Sequence, residues 1–253
     1  MTQVEYATLQ CPIMSPYTRT KGDTILKDIA IIVYAQPHRR SFFYAKGMIY
    51  MNNIEGLVIL LTYLAVSASA VSGVLEARKH EMDIVGATTV AFVTAFGGGS
   101  LRDLLLGRTP IFWLVDPGLT IVTFAIAIIS FYLIDHMSEK LLFIPDALGL
   151  GFFSILGATF ALQMDLSLLV ASLMGVVTGV FGGILRDVLC NKIPSIFRRD
   201  TELYATCSFI GTWVFILLIA LHVDASIASW IGTFTVFGLR ILAIRYRLTL
   251  PLP

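Results

Sequence analysis

Beyond residue 55, most of the chain consists of long runs without Asp, Glu, Lys or Arg. Each run has 18 to 20 residues, and a helix needs roughly 20 apolar residues to cross the hydrocarbon core of a bilayer. The runs are Gly56–Leu75, Ile84–Leu101, Pro117–Ile134, Ala147–Met164, Leu166–Leu185, Leu203–Leu221 and Ala225–Ile244, the last interrupted by Arg240. The pattern predicts an all-α membrane protein with seven transmembrane helices, with a tight hairpin at Asp165 between the fourth and fifth.

The composition agrees with a bilayer as the surroundings of the chain. Of the 253 residues, 57% are hydrophobic and 14% are charged, and the mean hydropathy is +0.82. A soluble domain is roughly half apolar and a quarter charged. The formal net charge of +1 gives no broad basic surface for nucleic acid. The sequence therefore predicts a lipid bilayer as partner, and implies neither nucleic acid nor a soluble protein partner.

Residues 1–50 differ from the rest of the chain because they are polar, basic and without a strong hydrophobic period. They do not have the basic start, apolar run and small-residue cleavage site of a signal peptide. One interpretation is a disordered polar tail. The other is that translation starts at Met48 or Met51, immediately before the first helix. The sequence leaves both open.

Basic residues are unevenly distributed between the two sides of the predicted membrane. Short loops rich in Lys and Arg stay in the cytoplasm. One side collects Arg78, Lys79, Lys140, Lys192, Arg198, Arg199, Arg245 and Arg247, whereas the other receives Arg108 and little else. This bias predicts a multi-pass protein of the cell (inner) membrane, with the C-terminal tail at residues 245–253 in the cytoplasm.

The chain contains an internal repeat with an offset of 84 residues. Residues 93–116 align without a gap on residues 177–200, with 10 identical pairs of 24. The identities are Val93/Val177, Thr94/Thr178, Gly98/Gly182, Gly99/Gly183, Leu101/Leu185, Arg102/Arg186, Asp103/Asp187, Leu105/Leu189, Pro110/Pro194 and Asp116/Asp200. We interpret residues 55–136 and 140–223 as two copies of a three-helix unit, with the seventh helix (225–244) outside the repeat.

Three helices are an odd number, so the second copy must enter the membrane from the opposite side. The copies are then related by a pseudo-two-fold axis in the membrane plane. Inverted repeats of this kind are typical of transport proteins, whose substrate path lies where the copies meet. The duplication therefore favours transport.

The repeated motif supplies the candidate residues of an ion pathway. The glycines Gly97, Gly98, Gly99, Gly182 and Gly183 weaken two helices. They either allow a break that lines a wet cavity or let two helices pack closely. If the helices break, the pairs Arg102-Asp103 and Arg186-Asp187 stay deep and face each other across the midplane. In straight helices they reach opposite interfaces instead.

Thr94 and Thr178 lie one turn before the glycines. Their hydroxyls either face the path or bond back to their own helix, and the second is the more common behaviour of such residues. No nucleophile elbow, phosphate loop or zinc-ligand spacing occurs. Cys11, Cys190 and Cys207 form no paired framework, and we expect the last two to be small apolar residues. We therefore expect no enzyme, no catalytic or metal site and no cofactor.

Two copies of Gly-Gly-x-Leu-Arg-Asp, each followed by a proline, resemble the prokaryotic branch of the trimeric intracellular cation (TRIC) channel family. The same bacterial sequences are also catalogued as a glycine-transporter family. The resemblance covers Glu55–Ile244. It implies a homotrimer with one pathway inside each subunit, lined by the second and fifth helices kinked at their glycines, and potassium as the permeant ion. An acidic residue early in the first helix of each copy is common in that family. Asp146 matches it in the second copy, whereas Thr62 stands there in the first.

Three functions remain open at this point. The first is a channel for monovalent cations, and the second is a transporter of a small amino acid such as glycine. The third is a membrane scaffold without transport, for which Gly99→Leu and Gly183→Leu trimers would assemble and leave flux unchanged.

Overall fold

The structure, a computed structural model, describes residues 54–133, 143–197 and 203–248. Eight α-helices lie in these ranges. They are α1 (Ile54–Lys79), α2 (Ile84–Leu105), α3 (Phe112–Val115), α4 (Pro117–Leu133), α5 (Phe143–Gln163), α6 (Leu168–Leu189), α7 (Ala205–Ala220) and α8 (Ala225–Tyr246). A 3-10 turn at Ser195–Phe197 precedes α7.

The seven long helices confirm the predicted all-α fold. Five of them, α1, α2, α5, α6 and α8, are long and apolar enough to cross a membrane. The other two, α4 and α7, are apolar but have only 17 and 16 residues. A helix of 16 residues is about 24 Å long, which is shorter than the ~30 Å hydrocarbon core. As the structure describes them, these two helices are therefore shorter than the hydrocarbon core.

The ends of the helices repeat the 84-residue offset seen in the sequence. Side chains at equivalent positions cap the N-termini of α2 and α6. Residues with positive φ also occur at equivalent positions, one pair just after α1 and α5 and another just after α2 and α6. These pairs are Asp83/Ser167 at the caps, and Glu81/Asp165 and Gly107/Asn191 in the left-handed region. The repeat is therefore present in the turns as well as in the apolar segments. Asp165 forms the tight hairpin that the sequence predicted.

The two copies interlock through the crossing of α2 and α6. A Cβ added to Gly98 would overlap the carbonyl oxygen of Thr178, and one added to Gly182 would overlap the carbonyl oxygen of Thr94. In each contact, the residue that comes later in its helix (Gly98 or Gly182) faces the one that comes earlier in the other helix (Thr178 or Thr94), so the helices run antiparallel. This reciprocity is what a two-fold axis requires, and it confirms the inverted relation of the copies. In the same way α1 packs against α5.

The glycines do not break either helix in this structure. Both α2 and α6 are continuous α-helix through Gly97–Gly99 and Gly182–Gly183. The helical conformation is kept because the missing side chains let two backbones approach, and the resulting contact offsets the intrinsic cost of glycine. Of the two alternatives that the sequence left open, close packing therefore describes this conformation, and a helix break does not.

The predicted tail at 1–50 lies outside the described residues, as do residues 134–142, which join the copies, and the end of the C-terminal tail. The division into residues 55–136, 140–223 and 225–244 stays a prediction. Cys190 and Cys207 are free, buried thiols, which confirms their predicted apolar role, and Cys11 is outside the described residues.

Candidate functional site: two Arg-Asp pairs on either side of a helix crossing

The Arg186-Asp187 pair of α6 lies in a buried polar network. Arg186 donates from Nε and Nη2 to Asp187 Oδ1, at 3.0 and 2.9 Å. Its Nη1 donates to Asp146 Oδ1 at 2.5 Å and to Ser72 Oγ at 2.7 Å. Arg186 is 7% exposed. Because Ser72 belongs to the first copy and Asp146 to the second, this guanidinium joins the two copies.

Tyr204, the N-cap residue of α7, closes the network from the other side. Its hydroxyl lies 3.4 Å from Asp146 Oδ1, to which it donates. The hydroxyl is buried and faces the carboxylate of Asp146, so the phenol acts there as a neutral donor. Gly183 makes room for it, because a Cβ at that position would lie 2.9 Å from the tyrosine hydroxyl. The Arg240 guanidinium of α8 lies 4.8 Å from the Tyr204 ring centre.

A narrow crevice runs along this network. It is lined by Val180, Gly183, Ile184, Arg186, Asp187, Ser195, Ile196 and Tyr204. The crevice has no space for a water molecule. A hydrated ion therefore does not fit in this crevice in the described conformation.

The aspartates of the motif hold the connection that follows each helix. Asp187 Oδ2 accepts from the backbone N–H and the hydroxyl of Ser195, at 2.9 and 3.0 Å. Asp103 Oδ2 accepts from the backbone N–H of Phe112 at 2.9 Å. Each carboxylate thus uses one oxygen for its arginine and the other for the chain that turns back after the proline. The Arg-Asp-Pro spacing is explained by this arrangement.

The Arg102-Asp103 pair of α2 has different surroundings. Arg102 and Asp103 are each 1% exposed. Arg102 donates from Nε to Asp103 Oδ1 at 2.9 Å, and its Nη2 is 2.8 Å from the same oxygen. The guanidinium lies over the rings of Phe112 and Phe160, at 5.2 and 4.2 Å from their centres. Arg102 is thus covered by aromatic rings, whereas the equivalent Arg186 is bound by a second carboxylate.

The two Arg-Asp pairs do not meet. The antiparallel contacts of α2 and α6 centre on Phe96 and Val180, and Arg102 and Arg186 each lie six residues beyond that centre. Six residues of helix are about 9 Å, so the arginines are roughly 18 Å apart along the helices. The hypothesis that the pairs face each other across the midplane is wrong for this conformation, because it required broken helices. Both pairs are nevertheless buried in protein.

The remaining predicted residues pack around the crossing. Thr94 and Thr178 donate to the carbonyls of Val90 and Met174, both at 2.6 Å, which confirms that they bond back to their own helices. Gly99 accommodates the Phe112 ring, and Gly97 faces Leu185.

An ion pair between the two copies was not predicted. Lys192, after α6, donates to Glu76 Oε1 of α1 at 2.5 Å, and Lys79 is 3.3 Å from Glu76 Oε2. No spacing in the sequence marks Ser72, Tyr204 or this ion pair as contacts between helices. Asp146, an acid in an otherwise apolar segment, was the one available signal. Among the described residues, no group of three or more His, Cys, Asp or Glu is placed to hold a metal ion.

Comparison with known proteins gives matches to both copies. A family model described as Glycine transporter matches residues 59–135 and 143–220. A UPF0126 membrane protein of Vibrio cholerae is 38% identical over 198 residues, which are 77% of this chain and 82% of that protein. The UPF0126 inner membrane protein YadS of Escherichia coli K12 is 38% identical over 199 residues, 77% of this chain and 95% of YadS.

A solved structure has the same fold. The TRIC trimeric intracellular cation channel orthologue from Rhodobacter sphaeroides superposes with a TM-score of 0.71 at 36% identity, over 77% of this chain and all of that one. The matched part of the chain is thus an integral membrane protein with this inverted-repeat fold. The chain belongs to the prokaryotic TRIC family, whose family model is described as Glycine transporter.

Proposed function

We propose that the protein is a membrane channel for monovalent cations, with potassium as the permeant ion and a pathway inside each subunit of a homotrimer. The similarity to the Rhodobacter sphaeroides channel along that protein's entire length carries this proposal. The inverted repeat supports it independently, since this architecture is typical of transport proteins.

The pathway follows the surfaces where the two copies meet, and we assign it the residues of the repeated motif. Gly97–Gly99 and Gly182–Gly183 bring the helices together, and the Arg-Asp pairs flank the crossing on either side. In the described conformation the contacts of Arg186 with Asp146, and of Tyr204 with the same carboxylate, close one side. The crevice between Gly183 and Tyr204 lies inside the second copy, next to the contact of Arg186 with Ser72 of the first copy, and it widens when Tyr204 moves away from Gly183.

Purified protein in a planar lipid bilayer tests the proposal. We expect unitary potassium currents in symmetrical potassium chloride, with a reversal potential that follows potassium when the salt is asymmetrical. Gly183→Leu places a side chain against the Tyr204 hydroxyl and should change the open probability or the unitary current. Gly238→Leu is the matched control, since a Cβ there meets nothing within 4 Å. Absence of unitary current from folded protein would overturn the proposal.

Glycine transport is the second candidate, and the description of the family model favours it. Uptake of labelled glycine into proteoliposomes distinguishes the two. Saturable uptake without unitary potassium steps identifies a transporter. Potassium steps without glycine uptake identify a channel.

The trimer and the cytoplasmic C-terminus belong to the same proposal. Light scattering of the detergent-solubilised protein should give three times the mass of the 27.8 kDa chain. A C-terminal fusion to a reporter that is active only in the cytoplasm should be active, and an inactive fusion would reverse the orientation.

A further inference from the structure

The two ends of the α2–α6 crossing use equivalent positions but carry different charges. At the first end Arg102 and Arg108 correspond to Arg186 and Lys192 at the second, so the cations are kept. The two additional acids of the second end are Asp146, which binds Arg186, and Glu76, which binds Lys192. At the first end, the position of Asp146 is taken by Thr62, 84 residues earlier, and the position of Glu76 is taken by Phe160, 84 residues later. The first end has kept both cations and has neither of these acids.

The register of α1 and α2 places Thr62 at the level of Arg102. These helices are antiparallel and meet where a Cβ on Gly73 would lie 2.6 Å from the Cα of Ala91. Thr62 lies eleven residues before Gly73, and Arg102 lies eleven residues after Ala91. Thr62 therefore occupies beside Arg102 the position that Asp146 occupies beside Arg186. Its hydroxyl donates to its own helix, to the carbonyl of Val58 at 2.6 Å.

Two guanidinium groups share one carboxylate oxygen at this end. Arg102 pairs with Asp103 Oδ1, and Arg108 Nη1 lies 3.8 Å from the same atom. The other oxygen of Asp103 accepts from the backbone N–H of Phe112. Among the described residues, Asp103 is the one carboxylate that pairs with these arginines. The cluster therefore has one positive charge in excess.

Phe160 partly compensates this charge but accepts no conventional hydrogen bond. The guanidinium carbons of Arg102 and Arg108 lie 4.2 and 3.8 Å from its ring centre. Arg108 Nη1 is shielded from solvent and has no hydrogen-bond partner among the described residues. A donor of this kind normally finds an acceptor. The Arg108 side chain as a whole is 39% exposed, so an acceptor can contact its exposed part although Nη1 itself is shielded.

We propose that this end of the crossing binds a phosphate group at Arg108, next to the buried Arg102, and that the phosphate supplies the negative charge that Asp146 and Glu76 supply at the other end. Guanidinium groups are suited to oxyanions because their parallel N–H bonds match two oxygens of one ligand. The phosphate belongs to inorganic phosphate or to the headgroup of an anionic lipid. The site does not depend on whether the protein conducts cations.

Thermal unfolding of the full-length protein in delipidated detergent tests the site. One arm adds inorganic phosphate, and the other adds phosphatidylglycerol, each compared with chloride at the same ionic strength. We expect a saturable rise of the unfolding temperature in at least one arm. A response to phosphate alone identifies a free oxyanion. A response to phosphatidylglycerol, with phosphate weak or competing, identifies the lipid headgroup.

Variants at equivalent positions show whether the response comes from this cluster. Arg108→Gln should weaken the apparent affinity at least tenfold, whereas Lys192→Gln at the second end should leave it unchanged. Phe160→Glu restores an acid at the first end and should also abolish the response, which covers the case in which Arg108→Gln does not fold. Absence of a saturable response in both arms, or equal losses in Arg108→Gln and Lys192→Gln, would overturn the proposal.

Discussion

Replacement of Asp146 by asparagine isolates the charge that binds Arg186 inside the second copy, in the network that reaches Ser72 of the first copy. The amide keeps the shape of the carboxylate and can still accept from Ser72 or Tyr204, whose hydroxyls lie 3.4 Å away. What it loses is the charge-assisted bond from Arg186 Nη1. A hydrogen bond to a charged group contributes about 1.5 to 3 kcal/mol.

The expected loss lies within that range and not above it. Removal of one partner from an isolated buried ion pair costs about 3 to 5 kcal/mol, because the other charge is left uncompensated. Here Asp187 still accepts from two nitrogens of Arg186, so the guanidinium remains paired. We expect Asp146→Asn to lower the free energy of unfolding by about 2 kcal/mol, which is roughly a 30-fold change in the unfolding equilibrium constant.

Reversible unfolding in mixed micelles, followed by circular dichroism, measures this change. Asp224→Asn is the matched control, because Asp224 is the exposed N-cap of α8 and asparagine caps helices as well as aspartate does. The control should change the unfolding free energy by less than about 0.5 kcal/mol. If both variants unfold alike, the charge of Asp146 does not stabilise the network around Arg186.

Three further changes test other parts of the structure. Gly98→Ala should destabilise the fold by about 1 to 3 kcal/mol, because the new methyl group overpacks the crossing against the Thr178 carbonyl. The control Gly238→Ala, in open space, should be neutral or stabilising by up to about 1 kcal/mol. Equal unfolding free energies of the two variants would contradict the close contact at Gly98. Thr178→Val removes only a bond within its helix, so potassium current should stay unchanged; a changed unitary conductance would show that this hydroxyl faces the path. Burial raises the pKa of the Cys190 thiol. In a chain with Cys11 replaced by serine, a maleimide should therefore react with Cys190 slowly at neutral pH, faster at higher pH and at once after denaturation. Rapid labelling of the native protein would refute the burial of Cys190.

The sequence predicted those features that depend on local or repeated patterns. Seven apolar runs predicted seven long helices, and the doubled motif predicted the inverted relation that the contacts of Gly98 and Gly182 confirm. The back-bonding of Thr94 also followed from a local preference. Each of these predictions needs only neighbouring residues or an alignment of the chain with itself.

The polar contacts between the copies could not be predicted in this way. Arg186 meets Ser72, which is 114 residues away, and nothing in an apolar helix marks one serine as a partner. The choice between a helix break and close packing at the glycines was left open for a related reason. Glycine propensity describes an isolated helix, whereas at Gly182 a second backbone occupies the space of the missing side chain and stabilises the helical form.

The pairing of Glu76 with Lys192 has a consequence for how the chain is made. The partners are 116 residues apart, and at about 5 to 20 residues per second of synthesis Lys192 follows Glu76 by roughly 6 to 20 s. During that interval Lys79, on the same helix, is the lysine available to Glu76. The contact between the copies at this end therefore forms late, only after Lys192 has been made.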